Sequence, residues 1–131
     1  MSRDINKAVI LLQEFFAKLK PSYERDNAGA TLIITFSDRT PIEQLRLFCQ
    51  GRLPEFKGDI VTDKDGFINK SKHNALPLAK AIDVAVQVGK VAVWDKRYYA
   101  NLGKYVSELG YTGKIRWGGA WGDTPHFEVL G

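Results

Sequence analysis

The sequence predicts a single domain of the α+β class. Two segments, 4–20 and 95–109, carry apolar residues at helical spacing. Runs rich in β-branched and apolar residues lie between and after them, at Thr31–Phe36 and on either side of Gly89-Lys90. Helical and strand segments interleave, yet few clean parallel crossovers can be drawn, and that favours α+β.

Taken in order, Ile5, Ala8, Val9, Leu12, Phe16 and Leu19 define an amphipathic helix over 4–20 that Pro21 is expected to end. Tyr23 to Ala30 is polar, contains Asn27 and Gly29, and reads as a loop. Thr31–Phe36 suits a central strand. Thr40-Pro41-Ile42-Glu43 forms a helix start, with Thr40 as N-cap, Pro41 in the first position and Glu43 closing a capping box. That helix runs through Ile42, Leu45, Phe48 and Cys49 to a stop at Gly51. Residues 52–72 lack periodicity and form a long loop, a feature more often functional than idle. Lys80 to Val88 and Val91 to Trp94 make a hairpin. Asp95 to Leu109 is a second amphipathic helix with Tyr98, Leu102, Tyr105, Val106 and Leu109 on one face. Ile115–Trp117 and Phe127–Leu130 are short strands flanking the Gly118-Gly119 turn.

The chain has 131 residues, enough to bury a core without staples, and its 44% hydrophobic and 26% charged residues are those of an ordinary globular protein. Its one cysteine, Cys49, excludes an internal disulfide and any multi-cysteine metal site, and is expected to be a small buried thiol. Charges interrupt the apolar N-terminal residues, so no signal peptide is expected, and no stretch is long enough to span a bilayer. A cytoplasmic monomer without stable membrane association is the expectation. The net charge of +4 is compatible with attraction to an anionic polymer. Nucleic acid is a poor match, because the lysines are scattered and the aromatics fall at core spacing.

Only two histidines are present, each with an aspartate nearby. His73 lies in Ser71-Lys72-His73, ahead of Ala81-Ile82-Asp83, and His126 lies in Asp123-Thr124-Pro125-His126. A catalytic zinc site takes three protein ligands and leaves one position for water. His73, Asp83 and His126 can supply the three, with Asp123 as a base. Each also has a structural reading. Asp83 faces away from Ile82 and Val84 on a strand, and a salt bridge or a hydrogen bond from Ser71 would equally satisfy it. Asp123 suits a turn before Pro125. Glu128 shares a strand face with His126 and is either an alternative base or the group that orients the histidine. Arg39 beside a helix N-terminus suggests an anionic client. Gln44 reads as a surface helix residue and Ser71 as a loop hydroxyl. Trp117 and Trp121 bracket the Gly-rich turn, as core or as walls of a groove.

These motifs, with Trp117-Gly118-Gly119 and the Arg39-Thr40-Pro41-Ile42-Glu43-Gln44 helix start, resemble the zinc D-Ala-D-Ala carboxypeptidase family. Within it they are most similar to phage endolysins that act as L-alanyl-D-glutamate peptidases. The resemblance covers residues 31–131. It implies a Hedgehog/DD-peptidase-like fold, a small antiparallel sheet flanked by helices. It also implies Zn2+ on His73, Asp83 and His126, Asp123 as catalytic acid/base, Arg39 on the substrate or developing oxyanion, and substrate contacts from Ser71 and Gln44, beside the groove walls that Trp117 and Trp121 offer. The implied substrate is bacterial peptidoglycan stem peptide, reached from the host cytoplasm through a holin or similar route. A D-Ala-D-Ala carboxypeptidase or dipeptidase, a catalytically dead wall-binding relative and a non-catalytic basic binding module are the alternatives. One departure stands out: His73 and Asp83 are further apart than is usual in the family, separated by Asn74 to Lys80 with Pro77 among them, so this segment must loop out to bring Asp83 back.

Overall fold

The computed structural model describes residues 2–131. In order, the elements are α1 (Ile10–Asp26), β1 (Ala30–Phe36), α2 (Pro41–Cys49), β2 (Ala81–Val88), β3 (Val91–Val93), α3 (Lys104–Glu108), β4 (Ile115–Trp117) and β5 (His126–Val129). One-turn 3-10 helices lie at Ile5–Lys7, Lys72–Asn74, Lys96–Tyr98 and Gly118–Trp121. The strands form one antiparallel sheet in the order β1-β2-β5-β4, with β3 on the far half of β2. An antiparallel sheet with helices packed on it is the predicted α+β class.

The two faces of the sheet have different jobs. On one face α1 lays Leu12, Phe15, Leu19 and Tyr23 against Leu32, Ile82, Val84, Ile115 and Phe127, all essentially solvent-free. Each such side chain stabilises the fold by about 1.5–3 kcal/mol, so this face holds the domain together. Strand alternation sends the intervening residues to the opposite face: Asp83 from β2, His126 and Glu128 from β5, and Arg116 from β4. Register then sets Asp83 opposite His126 and Arg116 opposite Glu128.

The capping box forms as predicted: Thr40 Oγ1 accepts from the Glu43 N–H (3.1 Å) and Glu43 Oε1 accepts from the Thr40 N–H (2.9 Å). The hairpin and the two late strands also form, β5 beginning one residue early at His126. Cys49 is half-buried and free.

Three expectations are corrected. The first helix begins at Ile10 and continues through Pro21 to Asp26. An interior proline costs about 3 kcal/mol. That cost is offset because Tyr23, two residues on, is buried and donates its hydroxyl to Tyr98 O at 2.8 Å. Residues 4–9 instead make a short turn and an extended stretch in which Ala8 bridges Ala79. Second, β1 is an edge strand, not a central one. Its apolar run is explained by α1, whose Lys20 Nζ donates to Leu32 O (2.9 Å) and whose Glu24 Oε2 accepts from the Leu32 N–H (2.9 Å), covering the open edge. Third, residues 95–109 are not one helix. Asp95 caps its own turn at Lys96–Tyr98, residues 99–103 continue as turns, and only Lys104–Glu108 is α-helical; the Trp117 ring packs where a side chain on Gly103 would sit. The helical spacing still delivers Tyr99, Leu102 and Tyr105 to the core.

Candidate metal centre

The segment between His73 and Asp83 loops out as the sequence required. Leu76 is exposed, and the chain returns at Ala79, which is fully buried and bonded through its backbone to Lys7 and Val9. The Lys80 N–H then donates to Lys72 O, and Asp83 comes to lie beside His73.

Nitrogen atoms of His73 and His126 and an oxygen of Asp83 all lie within 4.8 Å of one another. Asp83 Oδ1 is 2.8 Å from His126 Nδ1 and 3.5 Å from His73 Nε2. Each imidazole is held from behind. His73 Nδ1 lies 2.6 Å from Ser37 O, which can only accept, so the ring carries its proton there and turns the Nε2 lone pair inward. His126 Nε2 lies 2.8 Å from Glu128 Oε1 while its Nδ1 lies 2.8 Å from Asp83 Oδ1, so both ring nitrogens face carboxylates and a neutral ring can donate to only one of them.

That arrangement leaves an imidazole lone pair facing a carboxylate. It is stable only if His126 takes a second proton or a cation sits between the groups. The titration behaviour reflects the same demand. Burial alone lowers the His126 pKa, but the hydrogen bonds and charges of Asp83, Glu128 and Asp123 outweigh it and raise it above the usual histidine value. Burial pushes Asp83 up, yet its hydrogen bonds to His126 and His73 hold it far below the carboxylate range. Two imidazoles and one carboxylate, oriented from behind and short of one positive charge, form a donor set of the kind that binds zinc at catalytic sites. The residues present therefore fit the ion that the resemblance implies.

Glu128 is buried and fully committed: Oε1 serves His126, while Oε2 meets Lys72 Nζ (3.0 Å) and Arg116 Nη2 (2.8 Å). It orients the histidine rather than standing free as a base. Lys72 and Arg116 were not singled out from the sequence, because strand register brings Arg116 to Glu128 and the Lys72–Asn74 turn brings Lys72 there. Asp123 lies at the rim, half-exposed, with Oδ2 3.8 Å from His126 Nδ1. Burial and then the Asp83 charge raise its pKa above the ordinary aspartate value.

A groove of about 980 Å³ opens over this cluster. Arg39, Ser71, Trp121 and Asp123 line it, with the 60–64 loop forming one wall. The other sequence candidates fall differently. Trp121 is half-exposed and edge-on to His126, with Arg116 over its ring. Ser71 faces the groove while its hydroxyl accepts from the His73 N–H, capping the turn that carries that histidine. Trp117 is turned away: its ring packs on Gly103 and Gly119, and its Nε1 donates to Thr124 O at 2.7 Å, bracing the Asp123–His126 turn. Gln44 is not on the surface but fully buried.

The chain is similar to the crystal structure of the L-Ala D-Glu endopeptidase ChiX of Serratia marcescens, with a TM-score of 0.50 and 19% sequence identity over 90% of this chain and 85% of that one. The two proteins share a fold. No family model and no curated protein matches the sequence. At this identity the likeness to ChiX speaks for architecture, and the chemistry rests on the side chains described above.

Proposed function

We propose that this protein is a zinc-dependent peptidoglycan hydrolase of the phage endolysin kind, cleaving the L-alanyl-D-glutamate bond of stem peptides. The observation that carries the reading is the convergence of His73, Asp83 and His126 at the floor of an open groove, with a carboxylate of raised pKa at its rim. The shared fold with ChiX and the sequence motifs support the choice of substrate.

His73 Nε2, Asp83 Oδ1 and His126 Nδ1 would hold the ion. Zinc, when bound, polarises a scissile carbonyl and lowers the pKa of water. Asp123 is near enough to accept a proton from the attacking water and pass it to the leaving amine, and its raised pKa suits that exchange. Glu128 keeps His126 in one tautomer throughout, and Trp121 walls the groove beside it. Lys64 and Lys70 line the same groove and would favour a peptide bearing carboxylates.

The test is to incubate purified peptidoglycan with the zinc-loaded protein and identify the new amino termini. New D-glutamyl ends are expected. Release of free D-alanine would assign a D-Ala-D-Ala carboxypeptidase or dipeptidase instead, and an unchanged wall would leave a binding module.

A further inference from the structure

Gln44 is the one fully buried residue of α2, a helix that adds no fully buried apolar side chain to the core. Its amide has no face left for a substrate. Nε2 donates to Thr62 Oγ1 (3.3 Å) and Lys64 O (3.0 Å), while Oε1 accepts from Arg39 Nη1 (3.2 Å). Arg39 in turn donates from Nη2 to Asp83 Oδ2 (3.3 Å), with its guanidinium over the Phe36 ring. Its backbone is tied to the same centre, the Arg39 N–H donating to His73 O at 2.9 Å. Asp83 thus has one oxygen held from behind and the other turned to both imidazoles.

Resting on the zinc reading above, we infer that Gln44 and Arg39 are positioning residues. They form a polar line from the groove wall at Thr62–Lys64 to Asp83, and they fix which carboxylate oxygen the metal meets. The wall itself is seated closely on α2: Gly66 is buried, has φ +90°, and a Cβ there would lie 2.8 Å from Gln44 Cβ. The loop, the helix and the ligand are therefore joined by one continuous set of contacts. A Gln is suited to the central place because a single planar amide donates to one neighbour and accepts from the other. This differs from a role for Gln44 in gripping the substrate, since its amide is engaged on both sides; Arg39 commits Nη1 to Gln44 and Nη2 to Asp83, while its Nε is buried without a partner among the described residues.

The test uses the full chain loaded with cobalt(II), which reports ligand geometry in its visible spectrum. Gln44→Met keeps the volume and removes every hydrogen bond. It is expected to weaken cobalt(II) affinity by about 10–100-fold, as loss of groups behind a ligand does, and to shift the visible bands. Gln44→Glu keeps an acceptor for Arg39 but sets a carboxylate oxygen against Lys64 O, and is expected to recover only part of the affinity. Arg39→Lys, which keeps the charge without the fork, is expected to act like Gln44→Met and serves if that variant does not fold. Wild-type affinity and spectrum in Gln44→Met, or in Arg39→Lys if Gln44→Met does not fold, would overturn the inference and leave the zinc reading standing. Wild-type protein that takes up no cobalt(II) would overturn both.

Discussion

Asp83 and His126 face each other across the β2–β5 ladder, with Oδ1 of one 2.8 Å from Nδ1 of the other. Antiparallel register puts them on the same side of the sheet. The apolar residues alternating with them, Ile82, Val84 and Phe127, are fully buried on the other side. These two ligands therefore stand directly on the core beneath them.

Asp123 is half-exposed, and its turn is held by backbone bonds to Gly118 and His126 that an alanine keeps, so Asp123→Ala should fold and bind zinc as the wild type does. Its hydrolysis of peptidoglycan should fall by about 10²–10⁴-fold, the range for loss of a general acid-base group. Hydrolysis at the normal rate would remove Asp123 from the mechanism.

Removing Glu128 frees the His126 ring and leaves Lys72 and Arg116 without their shared partner. Glu128→Ala should lower zinc affinity by about 10–100-fold, read by competition with a chelating dye. An unchanged affinity would mean the histidine needs no support from behind.

Stability of the metal-free protein should depend on pH in a defined way. His126 has its pKa raised from 6.5, so its contribution is present below that value and is lost as pH rises through the folded pKa. Asp83 and Glu128 are lowered from 3.8 and 4.5, so theirs is present above those values and is lost as pH falls. Asp123, raised, runs against the carboxylates, but it is half-exposed and weaker. In chelator the melting temperature should peak between pH 4.5 and 6.5 and fall toward pH 8. Excess zinc should reverse the alkaline fall, since ligation takes deprotonated side chains. A metal-free melting temperature that keeps climbing to pH 8 would contradict the charge arrangement.

Glu24→Ala uncovers the Leu32 N–H on the open edge of β1. The loss should cost about 1 kcal/mol and promote self-association, measurable by thermal melting and sedimentation. A fully monomeric variant of unchanged stability would show that the edge needs no cover.

How much could be read from the residues alone varied with how local the signal was. The Thr40–Glu43 box and the Gly89-Lys90 hairpin are written within a few residues, and both formed as expected. Pro21 misled because its penalty is local while the burial of Tyr23 against Tyr98 O is not. The 95–109 segment misled because its apolar spacing is that of one helix, whereas turns at 99–103 bring Tyr99 and Leu102 into the core without a continuous α-helix. At the site, residue type and motif order sufficed to choose His73, Asp83, His126 and Asp123 as candidates. The supporting bonds were not legible, since Gln44, Lys72 and Arg116 find their partners only through register and loop packing.

Titrating zinc into the metal-free protein by calorimetry addresses the centre itself. Binding of about one ion per chain is expected, abolished in Asp83→Ala and preserved in Asp123→Ala. Absence of a binding isotherm in the wild type, or full binding in Asp83→Ala, would mean that the His73–Asp83–His126 cluster does not hold the catalytic metal.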